Sequence, residues 1–250
     1  MPINLKYFPE MNPYYEMPPL DMPPYAMVSN PRNYLSEKIN TDKYGFRKSF
    51  FASDYVTVEK MDQYDEINLL IGGSVVFGMG SSNDSTTISS NLSKLTGEIW
   101  LNMGVKSAVS FQEYIHLINH INKAKKINNI VFFSGMNDLY KSFTDFSDTH
   151  FDKWFTANDS EYIHNDLTIF SARRLAFAFF KSIIFSKSIR EFLPGNFEAS
   201  IRADKNIDFA LSSLDALYAR NFKLYKGLSS FTDAKVLYFL QPFSFWTNKE

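Results

Sequence analysis

Cysteine is absent from the 250 residues, which excludes disulfides, thiolate metal ligands and a cysteine nucleophile together. Charge of one sign is missing as well: 26 basic residues are set against 27 acidic ones, scattered along the chain, for a formal net charge of -1. No basic stripe is available to follow a phosphate backbone and no acidic tail stands out, so nucleic acid is not an expected partner. Long apolar runs are lacking too. The most apolar stretch, Leu175 to Phe185, is interrupted by Lys181 and is too short to span a bilayer. The first twenty residues show no basic start followed by an apolar run, so no signal peptide is read there and a soluble, cytoplasmic chain is expected. Histidine is scarce, with four in all.

Aromatic side chains are plentiful. With 17% Phe, Tyr and Trp and 45% hydrophobic residues, a chain of this length can bury one sizeable core. Eight of the ten prolines fall between Pro2 and Pro31, most of them among Tyr and Met. Such a run excludes a helix or a central strand, and its aromatics argue against free disorder. Residues 1–50 therefore read as a Pro/aromatic-rich arm laid on the surface of a domain spanning 60–250, serving packing rather than the wall of an active site.

From Glu66 onward, strand and helix patterns alternate. Ile67–Ile71 is a short buried strand ending in Gly72-Gly73. Ser85–Leu95 carries Ile88, Leu92 and Leu95 at helical spacing and is closed by Gly97. Ile99–Leu101 opens a second strand. Ser110 and Glu113 read as a capping box, followed by Tyr114, Leu117, Ile118, Ile121 and Ala124 on one helical face. Ile130–Phe133 is a third strand and Val236–Leu240 a fourth. Helices are expected over roughly Leu167–Phe192 and Ile207–Leu228. This alternation implies an α/β fold whose parallel sheet is covered on both faces. The ligand crevice then lies outside the carboxyl ends of the strands, where Gly73-Ser74, Asn102–Ser110 and Gly135–Asp138 should converge.

The first of these loops, Gly72-Gly73-Ser74-Val75-Val76-Phe77-Gly78-Met79-Gly80, offers no register for a dinucleotide fingerprint. It has no Gly-Lys-Ser/Thr for a phosphate loop, and Val76 stands where a nucleophile elbow needs glycine. Alone, Gly-Gly-Ser after a strand reads as a tight turn. The third loop shifts the balance: Gly135 allows a sharp bend and Asn137 can donate a side-chain N–H to developing negative charge. Gly104, ending the second strand, adds a backbone N–H. A hydroxyl, two backbone N–H groups and an amide make a nucleophile beside an oxyanion hole.

In order and spacing, Gly72-Gly73-Ser74 with Phe77-Gly78, Asn102-Met103-Gly104 and Gly135-Met136-Asn137-Asp138 resemble the blocks of the SGNH (GDSL-like) hydrolase family. Asn40 with Tyr44-Gly45-Phe46-Arg47 resembles the segment that often precedes the first strand in that family. The likeness covers roughly residues 40–140. It implies a three-layer α/β/α fold with a parallel, flavodoxin-like sheet, a Ser74 nucleophile, and an oxyanion hole from Ser74 N–H, Gly104 N–H and Asn137. Gly73 and Asp138 would support the loops. Two positions depart from the family: Gly73 replaces an aspartate, and Ser107 stands where a second glycine is common.

A serine needs a base, which in this family is the histidine of a C-terminal Asp-x-x-His block. None of the four histidines fits. His116 and His120 fall away from the apolar face of their helix and are expected to be exposed, His150 follows Asp148 with one residue too few between, and His164 precedes a helix. The fourth strand runs into Gln241–Glu250 without a closing helix, so the domain is expected to be incomplete, with the missing block beyond Glu250. A helical insertion at about 140–206 carries Trp154, Phe155, Phe170, Phe177, Phe179 and Phe180, expected to pack as core or lid, and Arg173-Arg174, expected on a solvated face.

The expected function is hydrolysis of a small acyl ester, such as an O-acetylated saccharide, through an acyl-Ser74 intermediate. Acyl transfer to a saccharide hydroxyl differs only in the acceptor. A binding module that kept the crevice and lost the base is the competing reading. No cofactor or metal is expected.

Overall fold

The computed structural model describes residues 12–23, 26, 28–138 and 206–241. The chain divides into two compact units, Met1–Lys141 with Leu214–Glu250, and Ser142–Ser213. The first unit carries every block singled out above. The predicted helix at Leu167–Phe192, the aromatic insertion and Arg173-Arg174 lie outside the described residues.

Two short strands, β1 (Ser49–Phe51) and β2 (Asp54–Val56), form an antiparallel hairpin. The main sheet is built on β3 (Ile67–Gly72), whose six residues are all buried. β4 (Trp100–Gly104) pairs with one edge of it and β5 (Ile127–Ser134) with the other, and β6 (Lys235–Leu240) lies beyond β5. All three pairings are parallel, as the alternating pattern predicts. Alternate side chains of a strand point to opposite faces, and β3 divides accordingly. Leu69 and Ile71 join Leu101, Met103, Ile130 and Phe132 in one cluster, with Leu117, Tyr225 and Leu228 packed on it. Leu70 joins Val76, Trp100 and Val131 in another, with Ile88 and Leu92 against it.

Among the described residues these helices accompany the strands: α1 (Asn12–Glu16), α2 (Ser74–Phe77), α3 (Ile88–Thr96), α4 (Ser110–Ile118) and α5 (Asn206–Thr232). Gly97 closes α3 in the left-handed region, at φ 71°, as expected of a C-terminal glycine. The buried face of α3 differs from the apolar spacing. Leu95 is 81% exposed, while Ser89, Ser90 and Ser93 are buried. Their hydroxyls serve neighbouring strands: Ser90 Oγ accepts the Phe50 N–H at 2.9 Å and Ser93 Oγ the Trp100 N–H at 3.0 Å. The Ser110–Glu113 capping box is also overturned. Val109 is the N-cap, Gln112 Oε1 reaches back to its N–H at 3.1 Å, and Ser110 and Glu113 are buried inside the domain.

The N-terminal arm is corrected on two counts. It contains α1, where Pro13 sits in the first turn and sacrifices no helical hydrogen bond. Its described residues are also built into the domain rather than laid over it. Val28 and Phe46 belong to the main core, and Tyr14, Met17 and Ile39 enclose Phe77.

Arg47 anchors this arrangement with both partners of its ion pair fully buried: Nε donates to Asp84 Oδ1 at 2.6 Å. Nη1 donates to Tyr14 Oη and to the Gly78 carbonyl, each at 2.9 Å, and Nη2 to the Lys38 carbonyl at 2.8 Å. Removing one partner of a buried pair leaves the other charge uncompensated, at a cost of about 3–5 kcal/mol. Arg47→Met is therefore expected to lower the unfolding free energy by roughly that amount. Arg32→Ala, which breaks the exposed pair with Asp21, should cost less than about 1 kcal/mol. Urea unfolding of the two variants checks this, and comparable losses would refute the central place given to Arg47.

Candidate active site

The first loop is shaped by how closely neighbouring backbone approaches it. A Cβ on Gly72 would lie 2.3 Å from the Phe133 carbonyl oxygen, so only glycine lets β3 end this close to β5. Gly73 is the N-cap of α2, Ser74 its first residue, and Gly78 closes the turn at φ 90°. Ser74 is half-buried, and its hydroxyl makes no hydrogen bond with any described residue. The N–H groups of Ser74, Val75 and Val76 are likewise unengaged among the described residues, as the first N–H groups of a helix have no carbonyl before them within it. A depression of about 450 Å³ runs along the same flank, lined by Val75, Met79, Gly80, Ser81, Thr86 and Ile88.

The third loop lies against the first. Gly135 turns at φ 106°, and residues 136–138 form a helical turn. Asn137 Nδ2 donates to the Ala108 carbonyl at 2.6 Å and stands 2.8 Å from where a Gly73 Cβ would be. The aspartate common in the resembled family at that position would displace the amide. Gly73 and Asn137 are fitted to each other.

Gly104 is present at the second loop, but its N–H already has a partner, Asn102 Oδ1 at 2.9 Å. Asn102 Nδ2 holds the Val76 carbonyl at 2.7 Å and Ser89 Oγ at 3.2 Å. A Gly104 Cβ would fall 2.1 Å from the Phe77 backbone nitrogen, so this glycine is a spacer on which α2 rests. From the arm, Asn30 donates Nδ2 to the Gly104 carbonyl at 3.0 Å and accepts the Lys106 N–H at 3.0 Å.

Asp138 is buried and faces α4. Its carboxylate accepts the Ser110 N–H at 3.2 and 3.1 Å and the Ser110 hydroxyl at 2.7 Å, so it caps the helix across the fold. Burial raises its pKa despite these bonds. Glu113 is deeper still. Burial, and then the nearby Asp138 charge, push its pKa well above the usual carboxylate range, and its Oε2 has no partner among the described residues.

The histidines are placed differently from expectation. His116 is buried rather than exposed, donating from Nε2 to the Val28 carbonyl at 2.6 Å and packing edge-on to Phe46. His120 is half-buried, bonded through Nδ1 to the His116 carbonyl at 2.8 Å and set against Tyr44 and Phe46. Burial lowers both, His120 to about 4, so both are neutral. They anchor the arm to α4. His150 and His164 lie outside the described residues. Among the described residues no three His, Cys, Asp or Glu side chains are grouped to hold a metal.

Two stability measurements follow. Gly104→Ala should destabilise more than Gly73→Ala, by about 1–3 kcal/mol or above, because its clash is with immovable backbone whereas the Asn137 amide can swing. Equal losses in thermal unfolding would disprove the spacer role. Glu113→Gln should gain on the natural protein as pH rises. A carboxyl with a raised folded pKa contributes its stability below the unfolded value near 4.3 and loses it as pH climbs towards the folded one, whereas glutamine does not titrate. Stability differences that stay flat from pH 4 to 8 would argue against a neutral Glu113.

No protein-family model matches this chain, and no curated protein matches it either.

Proposed function

We propose that the protein is a serine esterase or acyl-transfer enzyme of the SGNH kind, with Ser74 as nucleophile. One observation carries the reading. At the end of β3 stands a half-buried serine hydroxyl that, among the described residues, makes no hydrogen bond, with backbone N–H groups equally unengaged among them beside it and the Asn137 amide against the preceding glycine. The placement fits the chemistry. The strand order β4-β3-β5-β6 agrees with the first four strands of a flavodoxin-like sheet, and its switch point lies between β3 and β5, whose loops carry Ser74 and Asn137.

In this reading Ser74 Oγ adds to an ester carbonyl carbon while its proton passes to a base and the carbonyl electron pair moves onto oxygen. The Ser74 N–H and Asn137 Nδ2 receive that oxyanion. Collapse expels the alcohol, which takes the proton back from the base and leaves acyl-Ser74. Water or a saccharide hydroxyl then accepts the acyl group. His116 and His120 are committed to the arm, so neither is that base. A binding module is the second reading, favoured by the lack of any hydrogen bond from a described side chain to the Ser74 hydroxyl.

A fluorophosphonate probe should label the protein once, at Ser74, as read by intact mass, and Ser74→Ala should abolish labelling. Asn137→Ala should slow labelling about 10²–10³-fold, the usual loss for one oxyanion donor. A natural protein left unlabelled at Ser74 would decide for the binding module.

A further inference from the structure

α5 reaches the third loop with two side chains one turn apart. Tyr218 donates its hydroxyl to the Gly135 carbonyl at 3.1 Å. Asn221, buried, donates Nδ2 to Ser110 Oγ at 2.6 Å. The Ser110 hydroxyl has a single proton. With its oxygen accepting from Asn221, that proton goes to Asp138 Oδ1, which fixes the direction of the chain as amide, hydroxyl, carboxylate. Asp138 is covalently joined to Asn137, and Asn137 Nδ2 is latched to Ala108, two residues before Ser110. Segments 108–110 and 137–138 thus form a closed frame, and Asn221 enters it from another part of the fold.

Packing alone does not account for this residue. A helix position buried against an apolar sheet ordinarily takes an apolar side chain, and a buried amide is tolerated only when bonded. Its neighbour one turn on, Tyr225, does what packing asks, stacking on Phe132 with ring centroids 4.0 Å apart. Asn221 instead serves the frame.

We infer that Asn221 is a positioning residue for Asn137: through Ser110 and Asp138 it sets where the third-loop amide points. The inference rests on the reading of Asn137 as an oxyanion donor. Loss of the frame leaves substrate binding intact and misplaces a group needed when charge develops on oxygen.

The test is a mutant cycle on the full chain with p-nitrophenyl acetate. Asn221→Ala should lower kcat roughly tenfold at unchanged KM, since small misplacements of a reacting group fall on the chemical step. In an Asn137→Ala background the same change should cost nothing further, because the two act as one unit. Ser110→Ala, which keeps Asn221 and breaks the link, should reproduce the loss and serves if Asn221→Ala fails to fold. Independently of turnover, the Asn137 side-chain amide resonances should shift in both variants. A loss additive with Asn137→Ala, or Asn137 resonances left unmoved, would overturn the inference. Absence of Ser74 labelling would instead remove the esterase reading alone, and the resonances would still decide whether Asn221 positions Asn137.

Discussion

A guanidinium taken wholly out of water needs an anion and further acceptors for its remaining N–H groups, and Arg47 draws them from separate stretches of chain. Asp84 supplies the anion from the loop before α3, Lys38 and Tyr14 supply acceptors from the arm, and the carbonyls of Phe77 and Gly78 come from the exit of the Ser74 turn. Moving Asp84 would strand the charge, and moving the neutral acceptors would cost the buried cation hydrogen bonds. Asp84 is held in turn by Asn40, which donates Nδ2 to Oδ2 at 2.7 Å. The segment Asn40 to Arg47 therefore helps to hold the turn that carries Ser74. It fixes the far end of α2, and Gly72 with Gly104 fix the near end.

Around the candidate site, most of this bracing is done by neutral amides. Asn30, Asn102, Asn137 and Asn221 each engage a main-chain group or a hydroxyl at hydrogen-bond distance. An amide carries both a donor and an acceptor, so one side chain can hold two strands of backbone without bringing a charge that would need burying. The charged groups nearby are either capped, as Asp138 is by α4, or kept neutral, as burial keeps Glu113. Few fixed charges then oppose an anion forming near Ser74.

The strands, the parallel sheet and the three loops were legible because they rest on local signals: continuous apolar runs and glycines at strand ends. What was illegible depends on partners distant in sequence. Ser110 and Glu113 have the spacing of a capping box, yet Asp138 and Asn221 claim Ser110 from afar. His116 falls off the apolar stripe of α4 and His120 lies just past its end, and both read as solvated, but the arm covers that side with Val28, Tyr44 and Phe46. The buried serines of α3 give no sequence signal either, since period-counting sees hydroxyls as polar and cannot see the strand N–H groups they satisfy. The proline-rich arm was misjudged because proline excludes helix interiors and not first turns.

Gly104 carries the sharpest consequence for the chemistry. Asn102 Oδ1 holds its N–H, while the same amide secures Val76 and Ser89 through Nδ2. Turning the Gly104 N–H towards a substrate would orphan a buried acceptor, which costs as much as the new hydrogen bond would return. The Ser74 N–H has no such tie among the described residues, and Asn137 carries a second amide hydrogen beyond the one given to Ala108. An oxyanion forming here would therefore draw on the first and third loops, with the second loop acting as the floor that keeps them in register. This assigns separate tasks to three glycines: Gly72 brings β5 close, Gly73 admits the Asn137 amide, and Gly104 seats the helical turn that carries Ser74.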